Sequence, residues 1–300
     1  MFKVAVVGDI ILDKNTYGEY RGIRENAPIY LCNEECFQAG GAANVAINLS
    51  SLGLEVDLFA LVGNDPEKEI LVRLLEEKNV YLRLITDTSR RTSLRQRIND
   101  QKNTKIMRVS YEDHEFITTT QIDKMLKELK KEKFDAIVIV DYQNGMITPQ
   151  LLGRLGVLQV PLFIDPKPNN VQFSPSGSVI KINNADCIQA TALSDDILGA
   201  KYLCEKLQSN ILLTRSEKGC AYFGVRDEKP LFVRNKVTSV VDETGAGDTF
   251  LATFVVCCLR KESIENALKY SNLAGNVATQ VRGLYQPTKE EIVYADAKRV

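Results

Sequence analysis

Residues 3–9 read KVAVVGD, and the run from Val4 to Val7 is apolar at every position rather than at every second one. A strand with one wet face alternates, whereas a strand covered on both faces does not, so this run predicts a buried strand that stops at Gly8 and Asp9. Working outward, runs of the same kind recur as VDLFALVG (56–63), DAIVIVDY (135–142), PLFID (161–165), SVIKI (178–182) and NILLTRS (210–216). Between most of them lie helical patterns. GAANVAINLSSLG (41–53) has helical spacing with Gly53 at its end, TTTQIDKMLKELKKEK (118–133) opens on threonine caps, and ALSDDILGAKYLCEKLQ (192–208) is amphipathic. Alternation of strand and helix predicts an α/β fold: a doubly wound, mostly parallel sheet flanked by helices. FVVCCL (254–259) and the closing helices over 263–282 are expected to pack on that sheet.

Two stretches break the rhythm. Residues 15–37 and 92–109 read as extended, and Arg95 and Arg97, two positions apart in TSLRQRIND, fall on one strand face. They predict a small β-sheet lid. Because these pieces are inserted between core elements rather than appended, residues 1–300 are expected to form one folding unit with an excursion.

Bulk properties exclude several classes. A formal charge of -1 over 300 residues provides no global field for nucleic acid or anionic lipid, so an acidic ligand has to be held locally. The seven cysteines are odd in number, and several lie inside apolar runs, which implies a reducing compartment. Cys32 and Cys36 alone have metal-like spacing, and His114 is the single histidine, so no zinc site is expected. The chain opens without a signal-peptide pattern and no apolar run approaches the ~18 residues of a membrane span. A cytoplasmic protein without membrane or nucleic-acid partners is expected.

The chemistry concentrates in VVDETGAGDTFLATFVV (240–256). Gly245, Ala246 and Gly247 lead an apolar helical run, and bare N–H groups at a helix start favour an anion. Asp248 follows at once, where the helix-end potential is expected to keep it ionised. A carboxylate that takes a hydroxyl proton beside amides that neutralise phosphate oxygens is the division of labour of phosphoryl transfer to an alcohol. A second constellation, GGAANVA (40–46), puts Gly40 and Gly41 at another helix entrance with Asn44 one turn in. Upstream, Asp9 and Asp13 close the first strand, and carboxyl ends of strands are where doubly wound sheets bind ligands. Two carboxylates and an asparagine suit a polyol. A third element, LLTRSEKG (212–219), ends a strand at Thr214 and turns through Ser216 to Gly219, a polar turn that can border a nucleotide or serve as a plain hairpin. No G-x-x-x-x-G-K-[ST] occurs, and GAG lacks the third glycine of a dinucleotide fingerprint.

In this order and over nearly the whole chain, these motifs resemble the ribokinase-like (PfkB) carbohydrate kinases. GGAANVA with Gly53 and Gly63 is similar to that family's N-terminal signature, and DETGAGDTF to its C-terminal one. The resemblance implies Asp248 as catalytic base, Gly245, Ala246 and Gly247 as anion hole, and Asp9, Asp13, Gly40, Gly41 and Asn44 around the sugar. It implies ATP and magnesium as cofactors, Asp242 as a participant in monovalent-cation binding, and a homodimer through the lid. Thr214, Ser216, Gly219 and Asn183 fall to the nucleotide. The family's Asn-x-x-Glu stands here as NNAD, so Asp186 is expected to meet the metal through water.

VVGDIILDKNTYGEY, ENAPI, DY with Gly145, IDPK and LTRSEKG are similar, more narrowly, to the kinase domain of D-glycero-D-manno-heptose-7-phosphate 1-kinases. The expected reaction is transfer to the anomeric 1-hydroxyl of that sugar phosphate in surface-glycan precursor synthesis, with no nucleotidyltransferase domain in these 300 residues. Three departures stand out: Glu243 in place of a small or hydroxylated residue, Thr253 in place of glycine or alanine, and Asn144 where heptose kinases carry lysine. A phosphorylated sugar beside ATP calls for cations, and Lys167, Arg95 and Arg97 are the candidates, with Arg21 and Arg24 behind them. Another PfkB-type sugar, sugar-phosphate or nucleoside kinase is the alternative, and a non-catalytic sugar or nucleotide sensor on the same fold is the competing class.

Overall fold

A computed structural model of the chain describes residues 1–102, 104–235 and 239–297. In chain order the strands are β1 (Lys3–Gly8), β2 (Ile10–Arg24), β3 (Ala27–Gly41), β4 (Glu55–Val62), β5 (Val80–Thr86), β6 (Leu94–Asp100), β7 (Lys105–Tyr111), β8 (Ala136–Val140), β9 (Leu162–Asp165), β10 (Val179–Asn183), β11 (Asn210–Thr214), β12 (Cys220–Phe223) and β13 (Leu231–Val233). The helices are α1 (Ala42–Ser51), α2 (Pro66–Glu76), α3 (Thr119–Leu129), α4 (Pro149–Gly156), α5 (Asn184–Thr191), α6 (Asp196–Leu207), α7 (Ala246–Leu259), α8 (Ile264–Thr279) and α9 (Lys289–Ala297).

The first strand shows why its sequence does not alternate. Val4 and Val6 point into one apolar cluster shared with α1, α7 and α8, while Ala5 and Val7 point into another shared with α3 and α4. Nine strands form this central sheet in the order β13-β12-β11-β10-β9-β8-β1-β4-β5, parallel except where β12 pairs with β11 and β13 with β12. From β1 the chain winds out to β4 and β5 and later returns to β8 on the other side of β1. The order therefore reverses at β1, and a crevice opens past the carboxyl ends of β1 and β8, where Asp9 and Tyr142 stand. Ribokinase-like α/β architecture is the result.

The lid is a second, four-stranded sheet in the order β3-β2-β6-β7. Its strands run further than the expected 15–37 and 92–109. β2 starts one residue after β1, and β3 runs straight into α1 at Gly41. The reason is burial: Ile10, Ile11 and Leu12 are core residues at the root of the lid, so lid and core share a base instead of meeting at a hinge loop. At the tip, Glu25 and Asn26 both take positive φ, 51° and 62°, as a tight hairpin turn requires. The helix expected over 192–208 begins at Asp196, capped by the Asp195 carboxylate on the amides of Ile197 and Leu198. A separate short helix, α5, precedes it.

Among the described residues no helix is long and apolar enough to cross a membrane.

Candidate active site

Asp248 lies at the third position of α7, a helix whose residues from Asp248 to Cys257 are all buried. Gly245 caps it with φ of 78°, and a side chain there would press on Leu284 and the amide of Asn44. Asn44 needs that room, because its Nδ2 donates to Asp248 Oδ2 at 2.8 Å. The Tyr142 hydroxyl donates to Oδ1 at 3.1 Å. The carboxylate is 4% exposed, and its pKa is not the low value expected of a helix start. Burial pushes it up to about 6, against the bond from Asn44, the Lys181 charge and the bond from Tyr142, with Asp165 adding to the rise. Desolvation outweighs the helix end, and the group stays mostly ionised at neutral pH while close enough to exchange a proton.

Behind the helix start lies a cavity of about 400 Å³. Asn183, Thr214, Ser216 and Gly219, expected at the nucleotide, line it together with Ala246 and Gly247. The turn after β11 is also the hairpin that carries the chain into antiparallel β12, so both readings of LLTRSEKG hold at once. Of the three expected anion-hole residues, Gly245 supplies the cap, and the Ala246 amide already donates to the Glu243 carbonyl at 3.3 Å. The amides of Gly247 and Asp248, second and third in the helix, have no intrahelical acceptor by helix geometry. Lys181 adds a cation that the sequence reading missed. It is buried, its Nζ lies 2.6 Å from Asp165, and a methyl group on Gly247 would come within 3.0 Å of it. Burial works against that ammonium, yet the Asp165 charge and hydrogen bond raise its pKa overall.

On the far side of Asp248 the expected sugar-binding set is assembled, with two roles changed. Gly41 caps α1 with φ of 63°, and Ala42 donates its amide to the Asp9 carbonyl at 2.9 Å. The Asp9 carboxylate accepts the amides of Tyr142 (2.8 Å), Asn144 (3.3 Å) and Met146 (3.0 Å). Asp9 therefore serves to hold the turn after β8, and burial lifts its pKa to about 6 in spite of those bonds. Asp13 is 2% exposed and paired with Arg97 at 2.5 Å. Gly40 has no side chain because one would strike the Asp13 carboxylate.

The three cations proposed for a second phosphate are already engaged. Arg97 holds Asp13, Arg95 approaches Glu112 at 3.6 Å and stacks over the Tyr142 ring, and Lys167 pairs with Asp186 at 3.4 Å. Arg21, behind them, pairs with Glu19. Asn183 caps α5 and donates its Nδ2 to Asp186 at 2.8 Å. Among the described residues no three His, Cys, Asp or Glu side chains cluster as a metal cage. The partly shielded Asp186 carboxylate, three residues beyond cavity-lining Asn183, fits a magnesium ion that would arrive with nucleotide phosphates, since that ion takes one or two carboxylates and keeps water. Asp242 accepts bonds from the Thr244 amide and hydroxyl and the Gly283 amide, which staples the turn before Gly245 to residue 283. Of the departures, Glu243 lines the same cavity, and Thr253 spends its hydroxyl on the Thr249 carbonyl one turn back.

Asn144 does not stand open to the cleft. It is 3% exposed, its carbonyl accepts Arg90 Nη2 at 2.6 Å, and both polar atoms of its side chain lack a partner among the described residues. Tyr142, Lys181 and Asp165 are the site residues the sequence reading missed. Tyr142 stood inside a quoted motif, but nothing local in DY reveals a contact 106 residues away.

The profile of the pfkB family carbohydrate kinases matches residues 1–291. The chain belongs to that family. It is an ATP-dependent carbohydrate kinase. Curated relatives of this kinase include the bifunctional protein HldE of Sulfurimonas denitrificans, 30% identical over 92% of the chain and 60% of the relative, and that of Nitratiruptor sp., 30% identical over 97% and 64%. The chain thus spans less than two thirds of the length of these relatives. Phosphofructokinase-2 from Escherichia coli in complex with substrates and products shares the fold, with a TM-score of 0.83 at 15% identity over 99% of both chains. Ribokinase of Arabidopsis thaliana complexed with ribose and ATP does so at a TM-score of 0.78 and 19% identity, over 98% and 99%.

Proposed function

We propose that this kinase transfers the γ-phosphoryl group of ATP to the anomeric hydroxyl of a sugar 7-phosphate of the D-glycero-D-manno-heptose type. The observation that carries the reading is the position of Asp248: its carboxylate faces Asn44 and Tyr142, while the amides beside it open on the nucleotide cavity. A base between acceptor and donor can do one thing that neither side can do alone. It takes the hydroxyl proton as the oxygen attacks phosphorus, the new O–P bond forms, and ADP leaves with the electron pair of the broken bond.

The Gly247 and Asp248 amides receive the charge that builds on the phosphoryl oxygens, and Lys181 adds a fixed positive group nearby. Asp186 would hold a magnesium ion that arrives with the nucleotide, and the ion would supply charge screening of the phosphates. Asp13, held by Arg97, and Asn44 fix acceptor hydroxyls, and Lys167 and Arg95 gain an anionic ligand by loosening their pairings with Asp186 and Glu112. Cytoplasmic location and a homodimer through the lid belong to the same reading; Ile23, Leu31 and Met107 are exposed apolar side chains on that sheet. The heptose assignment is supported by LTRSEKG, DY and IDPK and by the HldE relatives.

Asn144 favours a second reading, in which the acceptor is a different sugar or sugar phosphate. ADP release measured with D-glycero-D-manno-heptose 7-phosphate, fructose 6-phosphate and ribose separates the two. Fastest turnover on the heptose with a new anomeric phosphate signal by phosphorus NMR supports the first reading. Turnover only on another sugar overturns it, and no turnover on any of them favours the sensor.

A further inference from the structure

The Tyr142 phenol is held on several sides at once. Its backbone amide is pinned by Asp9 at 2.8 Å, two residues after the end of β8. Lys167 Nζ lies 5.5 Å and Arg95 5.8 Å from the ring centroid, and a methyl group on Gly41 would come within 3.5 Å of the ring. The ring cannot swing away without losing those contacts. Its hydroxyl then has one destination, the Asp248 carboxylate, with Oδ1 at 3.1 Å and Oδ2 at 3.5 Å.

We propose that Tyr142 is a positioning residue, whose hydroxyl holds the Asp248 carboxylate in the orientation and charge state that proton abstraction uses. The proposal rests on Asp248 being the base. Asn44 anchors one carboxylate oxygen and Tyr142 the other, and because the group offers about four lone-pair sites, an acceptor hydroxyl still finds room. The phenol keeps its own proton. Desolvation, followed by the Asp248 charge, holds it well above the ordinary tyrosine range, so it donates throughout the working pH range. Other charges facing Asp248 are Lys181 from β10 and Asp165 from β9, which act in opposite directions. Arg95 of β6 and Lys167 reach the Tyr142 ring rather than the carboxylate.

A donor to the charged form favours that form, and loss of the donor moves the titration upward. The test follows the Asp248 carboxyl carbon by NMR in protein labelled with 13C-aspartate, its signal assigned by its loss in Asp248→Asn. The wild-type midpoint is expected at about 6. In Tyr142→Phe it moves up by roughly one pH unit, and kcat falls roughly tenfold while KM for ATP stays within about twofold. Replacement of Tyr142 by 3-fluorotyrosine keeps the shape and strengthens the donor, so the midpoint moves down; this arm also reads if Tyr142→Phe fails to fold. An unchanged midpoint in the fluorinated protein, with Asp248→Asn inactive, overturns the proposal and leaves the base in place. A raised KM for the sugar with no movement of the midpoint overturns it as well, by showing that the hydroxyl touches substrate. Near-normal turnover of Asp248→Asn overturns both this proposal and the reading beneath it.

Discussion

Helices α1 and α7 start in the same way and end up with opposite work. Gly41-Ala42-Ala43-Asn44 and Gly245-Ala246-Gly247-Asp248 each place a glycine of positive φ at the cap, with no side-chain cap bond, and a polar residue third in the helix. The two third residues meet across the cleft at 2.8 Å. At α1 the first amide is consumed by the Asp9 carbonyl at 2.9 Å, which ties the helix into the crevice beside β1. At α7 the first amide makes a looser 3.3 Å bond, and the helix start faces a cavity. One start is a structural joint and the other borders a cavity. The difference lies in two residues: Asp248 against Asn44, and Gly247, which leaves space for Lys181, against fully buried Ala43.

The largest test of that contrast is Asp248→Asn, which makes the two third residues identical. Turnover is expected to fall on the order of 10²-fold or more, with nucleotide affinity by calorimetry nearly unchanged. The same substitution should stabilise the fold in alkaline buffer. The native carboxyl titrates at about 6 and the ordinary value is 3.8, so between those limits the folded chain holds more protons than the unfolded one. Stability from this group is therefore complete below the lower value and is lost as pH rises through 6. Asn carries no charge to desolvate, and thermal unfolding should show Asp248→Asn above wild type at pH 8, by up to roughly 3 kcal/mol, with the gap closing toward pH 4. A variant that loses stability at pH 8 would remove burial as the cause of the raised pKa.

The smallest effects come from exchanging the second residues. Gly247→Ala crowds Lys181 and should weaken ATP binding roughly tenfold, seen as a higher KM for ATP. Ala43→Gly should leave KM alone and cost about 1 kcal/mol of stability, measured by urea unfolding, through a lost methyl contact and a freer unfolded chain. Equal effects on KM for ATP would mean that both helix starts touch nucleotide.

The legible part of the site was the part whose chemistry is local. TGAGD announced a helix start, its free amides and an acid beside them, because all three lie within five residues. The strand runs announced a parallel sheet because burial on both faces leaves no polar phase. The free charges assigned to Lys167, Arg95 and Arg97 were illegible, since each finds its acid on a different element, Asp186 on α5, Glu112 after β7 and Asp13 on β2. Tyr142 and Lys181 were hidden for the same reason.

By itself the sequence determined the α/β sheet, the lid, the family and the helix start that carries Asp248, because periodicity and helix-end chemistry are written in neighbouring positions. Tertiary structure alone decided how acidic Asp248 is, which donors hold it and which cations are spent before substrate arrives. Those depend on burial and on distances between elements as far apart as Asn44 and Asp248, and no local pattern encodes a desolvation cost.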